Sequence, residues 1–293
     1  MFKTLLLFLL GLIIIAFLAI NYTPLSFVYT YFLQSSNKMQ GQIQLLQLDH
    51  IQYFLYLPPD YQETPDTPYP VIYHLHGAMP LPWGVAKSII RTDVIASATL
   101  LEKLAEEGKA EPSIIVAPYD GMGTSMWSNS WTGEIMGESD LIDKLIPFIE
   151  TTYPISRDRA KTTLQGFSMG GFGAIKIGFK YPEKFAKIIS FDGAIHTWQT
   201  ISSRRKGITA AIFQSEERFL LNSPWEQSQR YTEVKEKFPI TLYVIEAWVK
   251  EYNRNFRTHL DSIGLDFTYI ETDCQHDMGC MSSVEEVSIV YEL

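Results

Sequence analysis

The sequence predicts an open, mostly parallel β-sheet with helices on both faces, and three observations point to it. Short apolar runs closed by glycine, such as VIYHLHG and SIIVAPYDG, alternate with stretches of helical spacing. An early stretch, GQIQLLQLDHIQYFLYLPPDY, alternates apolar and polar residues instead, so an antiparallel hairpin edges the sheet. A glycine-rich turn, GFSMGGFGA from Gly166 to Ala174, lies between a strand pattern and a helix pattern.

The elements follow in chain order. At the N-terminus Lys3 precedes an apolar run from Leu5 to Ile20. At a rise of about 1.5 Å per residue this run is near the lower limit for spanning a bilayer. The following AFLAINYTP offers no good small-x-small cleavage pattern, and the aromatics of LSFVYTYFL suit an interfacial belt. Residues 1–34 are therefore expected to form a signal-anchor or transmembrane segment with its flank. This makes the membrane a partner and places the body of the chain outside the cytoplasm. Secretion after cleavage is the alternative. Residues 35–293 form the remaining domain.

In that domain the hairpin strands are expected near 41–48 and 50–57, and ETPDTPYP is a loop. A helix is expected around 93–107, between the strands of VIYHLHG and SIIVAPYDG. Leu141, Leu145, Phe148 and Ile149 share one face of the next helix. The strand AKTTLQGF, the helix GGFGAIKIGFKYP and the strand FAKIISFDG follow. The alternation then breaks over about 196–235, which reads as a helical insertion of the kind that covers a site. The strand ITLYVIEA, the helix NRNFRTHLDSIG, the strand DFTYIET and a final helix SVEEVSIVYEL complete the domain.

Composition removes some functions. Apolar residues make up 46% of the chain and charged residues 19%, a normal globular balance. The formal net charge of −9 gives no attraction for phosphate backbones, so nucleic acid is not an expected partner. The two cysteines, Cys274 and Cys280, make no disulfide framework, although one bridge between them is geometrically possible outside the cytoplasm.

Gly166-Phe167-Ser168-Met169-Gly170 fits G-x-S-x-G with the strand before and the helix after that this motif requires. Small neighbours let the backbones crowd at a sharp turn, and the helix N-terminus aims backbone N–H groups at a developing oxyanion. Ser168 is thus the candidate nucleophile, and a hydroxyl needs a base. Of the six histidines, only His276 lies late enough, after the last predicted strand, to follow a serine and an acid in this sheet order. His74 and His76 are spaced as a metal pair could be, but no further ligand cluster accompanies them, so neither metal nor cofactor is expected. Gly77 and Ala78 follow that strand directly, and this loop can supply an oxyanion N–H alongside that of Met169. Trp127 and Trp131, in PYDGMGTSMWSNSW, are candidate pocket residues. Arg204-Arg205-Lys206 reads as a solvated face or a contact for acidic lipid or cell-wall groups.

The words FLYLPPDY, YPVIYHLHG, LIPFIETTYPISRDR, LQGFSMGGFGAIKIGFKYPEKFAKIISFDGAI and the His276-Asp277 pair resemble the esterase D/feruloyl esterase-like family of α/β-hydrolases, which also includes the mycolyltransferases. The resemblance covers roughly residues 43–280. It implies a serine ester hydrolase acting on a small-molecule, glycan or lipid ester through an acyl-enzyme, with an acid after the penultimate core strand. Family members usually carry G-x-x-D there, whereas LYVIEAWVKEYNRNF has neither that glycine nor an aspartate. Counting from Phe256, the expected position falls near Ala247. Glu246 is the nearest carboxylate and the expected acid, with Glu251 second and Asp273 and Asp277 behind. The usual aromatic after His-Asp is also replaced, by Met278-Gly279-Cys280. Two other functions stay open: acyl transfer to a glycan or lipid acceptor through the same triad, and a non-catalytic surface-binding protein on this fold.

Overall fold

The hairpin turn at Asp49 and His50, with Asp49 at φ 50°, starts an eight-stranded sheet of order β1-β2-β4-β3-β5-β6-β7-β8. The structure is a computed structural model. It describes residues 39–293 apart from 236, 245, 246, 273, 275, 284 and 293. The expected segment 1–34 lies outside the described residues, and among those described no helix is long and apolar enough to cross a membrane.

β1 (Gln42–Leu48) and β2 (Ile51–Leu57) pair antiparallel, and β2 pairs antiparallel with β4 (Ile114–Pro118). From β4 onward every pairing is parallel, through β3 (Val71–Leu75), β5 (Thr162–Phe167), β6 (Lys187–Phe191), β7 (Ile240–Val244) and β8 (Thr268–Glu271). β3 and β4 are buried along their whole length, which explains why their sequences are apolar runs rather than alternations.

The register positions the site. Leu75 lies opposite Gly166, Gly166 opposite Ser190, and Phe167 opposite Phe191. The residues that follow β3, β5 and β6 therefore emerge side by side at the carboxyl edge of the sheet. The chain order also reverses there, since β4 lies on one side of β3 and β5 on the other. Such a switch point opens the crevice in which α/β sheets bind ligands.

Helix α1 (Trp83–Glu106) starts well before the expected 93, because Pro82 occupies its N-cap and Ala86 and Ile90 extend the buried face by further turns. A helical run follows β4 in three segments, Gly137–Ser139, Asp140–Leu145 and α2 (Ile146–Thr152). Helix α3 (Met169–Lys180) is buried from Met169 to Phe179. It approaches the sheet closely only because Gly170 has no side chain: a Cβ there would stand 1.8 Å from the Leu75 carbonyl oxygen.

The insertion over 196–235 is helical, as expected. It contains α4 (Trp198–Arg204), α5 (Glu216–Leu221) and α6 (Pro224–Tyr231), capped by Thr197, Ser215 and Ser223. It packs on α3 through aromatic pairs such as Phe179 with Tyr231 and Phe172 with Phe219. After α7 (Ala247–Ser262) and β8 comes a further short helix, α8 (Met278–Ser283), whose start is capped where Asp277 Oδ1 accepts the Cys280 N–H at 2.7 Å. The expected final helix shrinks to Glu285–Ser288. The end of the chain is committed to the core instead, with Tyr291 buried and its hydroxyl donating to Gln165 Oε1.

One buried ion pair ties α3 to the loop after β4. The Lys176 ammonium is wholly buried and donates to Glu138 Oε2 at 2.7 Å, to Ser128 Oγ at 3.1 Å and to the Trp127 carbonyl. Glu138 also accepts from Lys180 and from the Tyr181 hydroxyl. Burial pushes the Glu138 carboxyl up, but Lys176 and then Lys180 outweigh it and hold it down at about 2. Breaking such a pair leaves an uncompensated buried charge. Glu138→Ala should therefore cost about 3–5 kcal/mol in urea unfolding, while Glu138→Leu combined with Lys176→Met should cost much less. Equal losses in the single and double variants would show that the pair is not what holds this contact.

Candidate active site

β5 ends at Phe167 and α3 starts at Met169, so Ser168 alone makes the turn, at φ 54° and ψ −112°. An L residue is strained there and persists only where its surroundings over-determine it. Three backbone hydrogen bonds do so. Ser168 N–H donates to the Phe191 carbonyl at 2.9 Å, and the Ser168 carbonyl accepts from Ala194 N–H at 2.9 Å and Phe172 N–H at 3.2 Å. Gly166 makes room on the other side, since a Cβ there would stand 2.1 Å from the Gly170 carbonyl oxygen. The first N–H groups of a helix have no intrahelical acceptor, and their dipoles give this end positive character. The Met169 N–H belongs to that set.

The loop after β3 lies against the serine. Gly77 is buried, and a Cβ built on it would stand 3.3 Å from Ser168 Cβ, while the next residue, Ala78, is exposed. His76 fastens this loop. Its Nδ1 bonds the Gly77 carbonyl at 2.7 Å and its Nε2 accepts the Asp120 N–H at 3.2 Å. The Asp120 carboxylate in turn gathers the loop after β4, accepting the N–H groups of Met122 at 3.1 Å, of Ser125 at 2.8 Å and of Gly123. Burial pushes the Asp120 carboxyl up, but His76 and the Ser125 bonds outweigh it and hold it at about 2. Met79 N–H closes the loops on each other by donating to the Gly123 carbonyl at 2.6 Å. His74 faces elsewhere, its Nδ1 meeting Gln165 Nε2 at 3.0 Å. Among the described residues no group of three potential ligands could hold a metal ion.

The two tryptophans separate. Trp127 is only 1% exposed, its Nε1 donates to the His76 carbonyl at 3.1 Å, and it packs beneath the loop. Its indole faces His76, ring centroids 4.9 Å apart, and Gly173 of α3. Trp131 is 45% exposed and meets the insertion, donating from Nε1 to the Ala210 carbonyl at 3.0 Å under the guanidinium of Arg218. Arg204, from the basic run, donates to the Tyr252 hydroxyl at 2.6 Å.

His276 lies between Cys274 and Cys280, which form a disulfide with Cα atoms 6.0 Å apart. Its ring packs on that of Phe167, centroids 4.5 Å apart, immediately before Ser168 in the chain. One quarter of its side chain is exposed. Its Nδ1 is hydrogen-bonded to Asp192 Oδ2. Asp192 directly follows β6, at φ 50°, and is completely buried. The sequence reading passed over this residue. A signal was present, since FDGA puts an aspartate that tolerates positive φ just past a core strand, on the edge that carries the serine. Glu246, the acid expected from the family pattern, lies outside the described residues, as does Asp273. Glu251 is exposed on α7. Asp277 caps α8, and its carboxyl is pushed up by burial.

The site thus holds a serine on a strained turn at a helix N-terminus, the loop after β3 against that serine, and, packed on the neighbouring Phe167, an imidazole backed by a buried carboxylate. Such a set suits nucleophilic acyl chemistry. Comparison with known proteins agrees. The family model for esterases matches residues 48–250. Esterase Rv1288 of Mycobacterium tuberculosis is 34% identical over 140 residues, 47% of this chain and 28% of that protein. An acetyl esterase of Caldicellulosiruptor saccharolyticus is 29% identical over 157 residues, 50% of this chain and 57% of that one. The chain therefore spans less than two thirds of the length of these relatives. Among solved structures, a ferulic acid esterase superposes with a TM-score of 0.67 at 19% identity, covering 86% of this chain and 98% of its own. The S-formylglutathione hydrolase FrmB of Staphylococcus aureus gives 0.66 at 17%, covering 87% and 99%. The fold is that of the α/β-hydrolases, and the chain belongs to the esterase family.

Proposed function

We propose that this protein hydrolyses carboxylic esters through a serine acyl-enzyme. The observation that carries the reading is the strained Ser168 turn, with Gly77 against one side and the His276-bearing loop packed on Phe167. Ser168 Oγ attacks the ester carbonyl carbon and its proton passes to His276. Nδ1 of that ring is engaged by Asp192, so Nε2 receives the proton. The negative charge that develops on the carbonyl oxygen is met by the N–H of Met169 and by one from the Gly77–Ala78 loop. Collapse of the tetrahedral intermediate expels the alcohol, which takes the proton from His276. Water activated by the same imidazole then cleaves the acyl-enzyme and restores Ser168. The names of the relatives, acetyl and ferulic acid esterases among them, support small acyl or aryl esters, free or carried on a glycan, as substrates.

We further propose that the domain works outside the cytoplasm on an N-terminal anchor. The apolar run Leu5–Ile20 supports the anchor, and the Cys274–Cys280 disulfide supports an oxidising compartment. The full-length chain should then stay with the membrane pellet after carbonate washing. Recovery in the soluble fraction would exclude a retained anchor.

Fluorophosphonate should label the wild type and not Ser168→Ala, and hydrolysis of p-nitrophenyl acetate by that variant should fall at least about 10³-fold. Labelling that persists in the variant would remove Ser168 from this role. The disulfide holds the histidine's loop closed, so Cys280→Ser, or reduction of the wild type, should lower kcat by roughly 10–100-fold through misplacement of the imidazole. An unchanged kcat would mean that packing on Phe167 alone positions the ring.

A further inference from the structure

We infer that Asp192 is the positioning acid of this enzyme, so that the triad runs Ser168–Asp192–His276 with its carboxylate on β6 rather than after the next core strand. The inference rests on the hydrolase reading above. It is carried by backbone connectivity, by the burial and hydrogen bond of the carboxylate, and by the absence of the family's G-x-x-D pattern from this chain.

The backbone of Asp192 is tied to that of the nucleophile. Phe167 and Phe191 are register partners, so Ser168 and Asp192 are the next residues out on adjacent strands. The Ser168 N–H donates to the residue before Asp192, and the Ser168 carbonyl accepts from Ala194, two residues beyond it. The same turn is held from behind, because Asn253 Nδ2 on α7 donates to the Gly193 carbonyl at 2.7 Å. Whatever fixes the serine thereby fixes the aspartate.

The carboxylate is 0% exposed, and its Oδ2 bonds His276 Nδ1. Burying an ionised carboxylate is costly unless it is paired and hydrogen-bonded, and an imidazolium forming beside it supplies the compensating charge. Asp192 also holds φ 50°, a conformation an aspartate adopts only occasionally. A buried acid in a rare conformation, bonded to Nδ1 of a late histidine, has the arrangement of a positioning acid.

At the family's usual location for the acid, Glu246 lies outside the described residues. The next acid on α7, Glu251, is exposed. The G-x-x-D pattern is missing from this chain, and a carboxylate on the neighbouring strand stands where the histidine needs one. The histidine loop from β8 passes the end of β7 to reach it, and the Cys274–Cys280 bridge closes that loop on either side of His276. During turnover Nδ1–H stays with Asp192, which remains ionised, while Nε2 carries the proton from Ser168 to the leaving alcohol.

The test uses the full chain carrying Asp192→Asn, Glu246→Gln or Glu251→Gln. For Asp192→Asn, kcat is expected to fall by about 10²–10⁴-fold with KM changed by no more than about threefold, while both glutamine variants keep kcat within about threefold. A far-downfield proton resonance from the His276 Nδ1–H should be present in the wild type and lost in both His276→Ala and Asp192→Asn. A merely structural aspartate would not produce that loss in a folded variant. Near-normal kcat in Asp192→Asn, or a collapse of kcat in Glu246→Gln or Glu251→Gln, overturns the assignment. If Asp192→Asn does not fold, the two glutamine variants decide by the same criterion. If the wild type takes no fluorophosphonate at Ser168, the hydrolase reading has failed, and the resonance still reports whether Asp192 holds His276.

Discussion

Ser168 is held at φ 54° and ψ −112° by three backbone hydrogen bonds, its N–H donating to Phe191 and its carbonyl accepting from Phe172 and Ala194. Strain of this kind costs on the order of 1–3 kcal/mol and relaxes if any support gives way. Much of the surrounding structure can be understood as that support. The absence of a side chain at Gly170 lets α3 lie against the end of β3. The burial of α3 from Met169 to Phe179 stops it from shifting, and the insertion over 196–235 adds a second layer of aromatic packing on its outer face. Through the same bonds the turn at the end of β6 is locked to the serine, so Ser168 and the buried carboxylate share one rigid frame.

Buried charges do a second job, which is to organise loops. Asp120 draws the start of the β4 loop around its carboxylate by bonding Met122, Gly123 and Ser125, and His76 links it to Gly77. Further along the same loop, Lys176 reaches from α3 to the Trp127 carbonyl and Ser128, and Glu138 neutralises it. Net stabilisation from such groups is small, because desolvation offsets most of the attraction. Their effect is directional: each carbonyl and N–H has one place it can go. The backbone beside Ser168 is therefore pre-set before a substrate arrives, which is what electrostatic stabilisation of an oxyanion requires.

The histidine is held differently, from the far end of the sheet. It comes from beyond β8 and must pass β7 to meet Asp192 on β6. A long reach on a short loop needs restraint, and here the restraint is local: a disulfide around the histidine, the Asp277 cap that starts α8, and the stacking on Phe167. The replacement of the family's usual aromatic by Met278-Gly279-Cys280 fits this scheme, since Cys280 supplies one half of the bridge.

Much of this was legible in the residues themselves. Apolar runs, the alternating hairpin and the glycine turn specify the strands and the elbow, because those signals are local and each has a period or a steric cause. Ser168, the Gly77–Ala78 loop and His276 could be singled out for the same reason. Element ends were less legible: α1 starts earlier than its apolar spacing suggests, and the final helix gives way to a tail that Tyr291 buries in the core. The burial of Trp127 was not legible either, because nothing local says which face of a loop a ring will turn to. The amino-acid sequence by itself determined the sheet, the turn that carries Ser168 and the late place of His276 in the chain. Only the tertiary structure decided which carboxylate stands behind that histidine, because pairing across strands is set by register and loop path, and Asp192 and His276 are brought together from 84 residues apart.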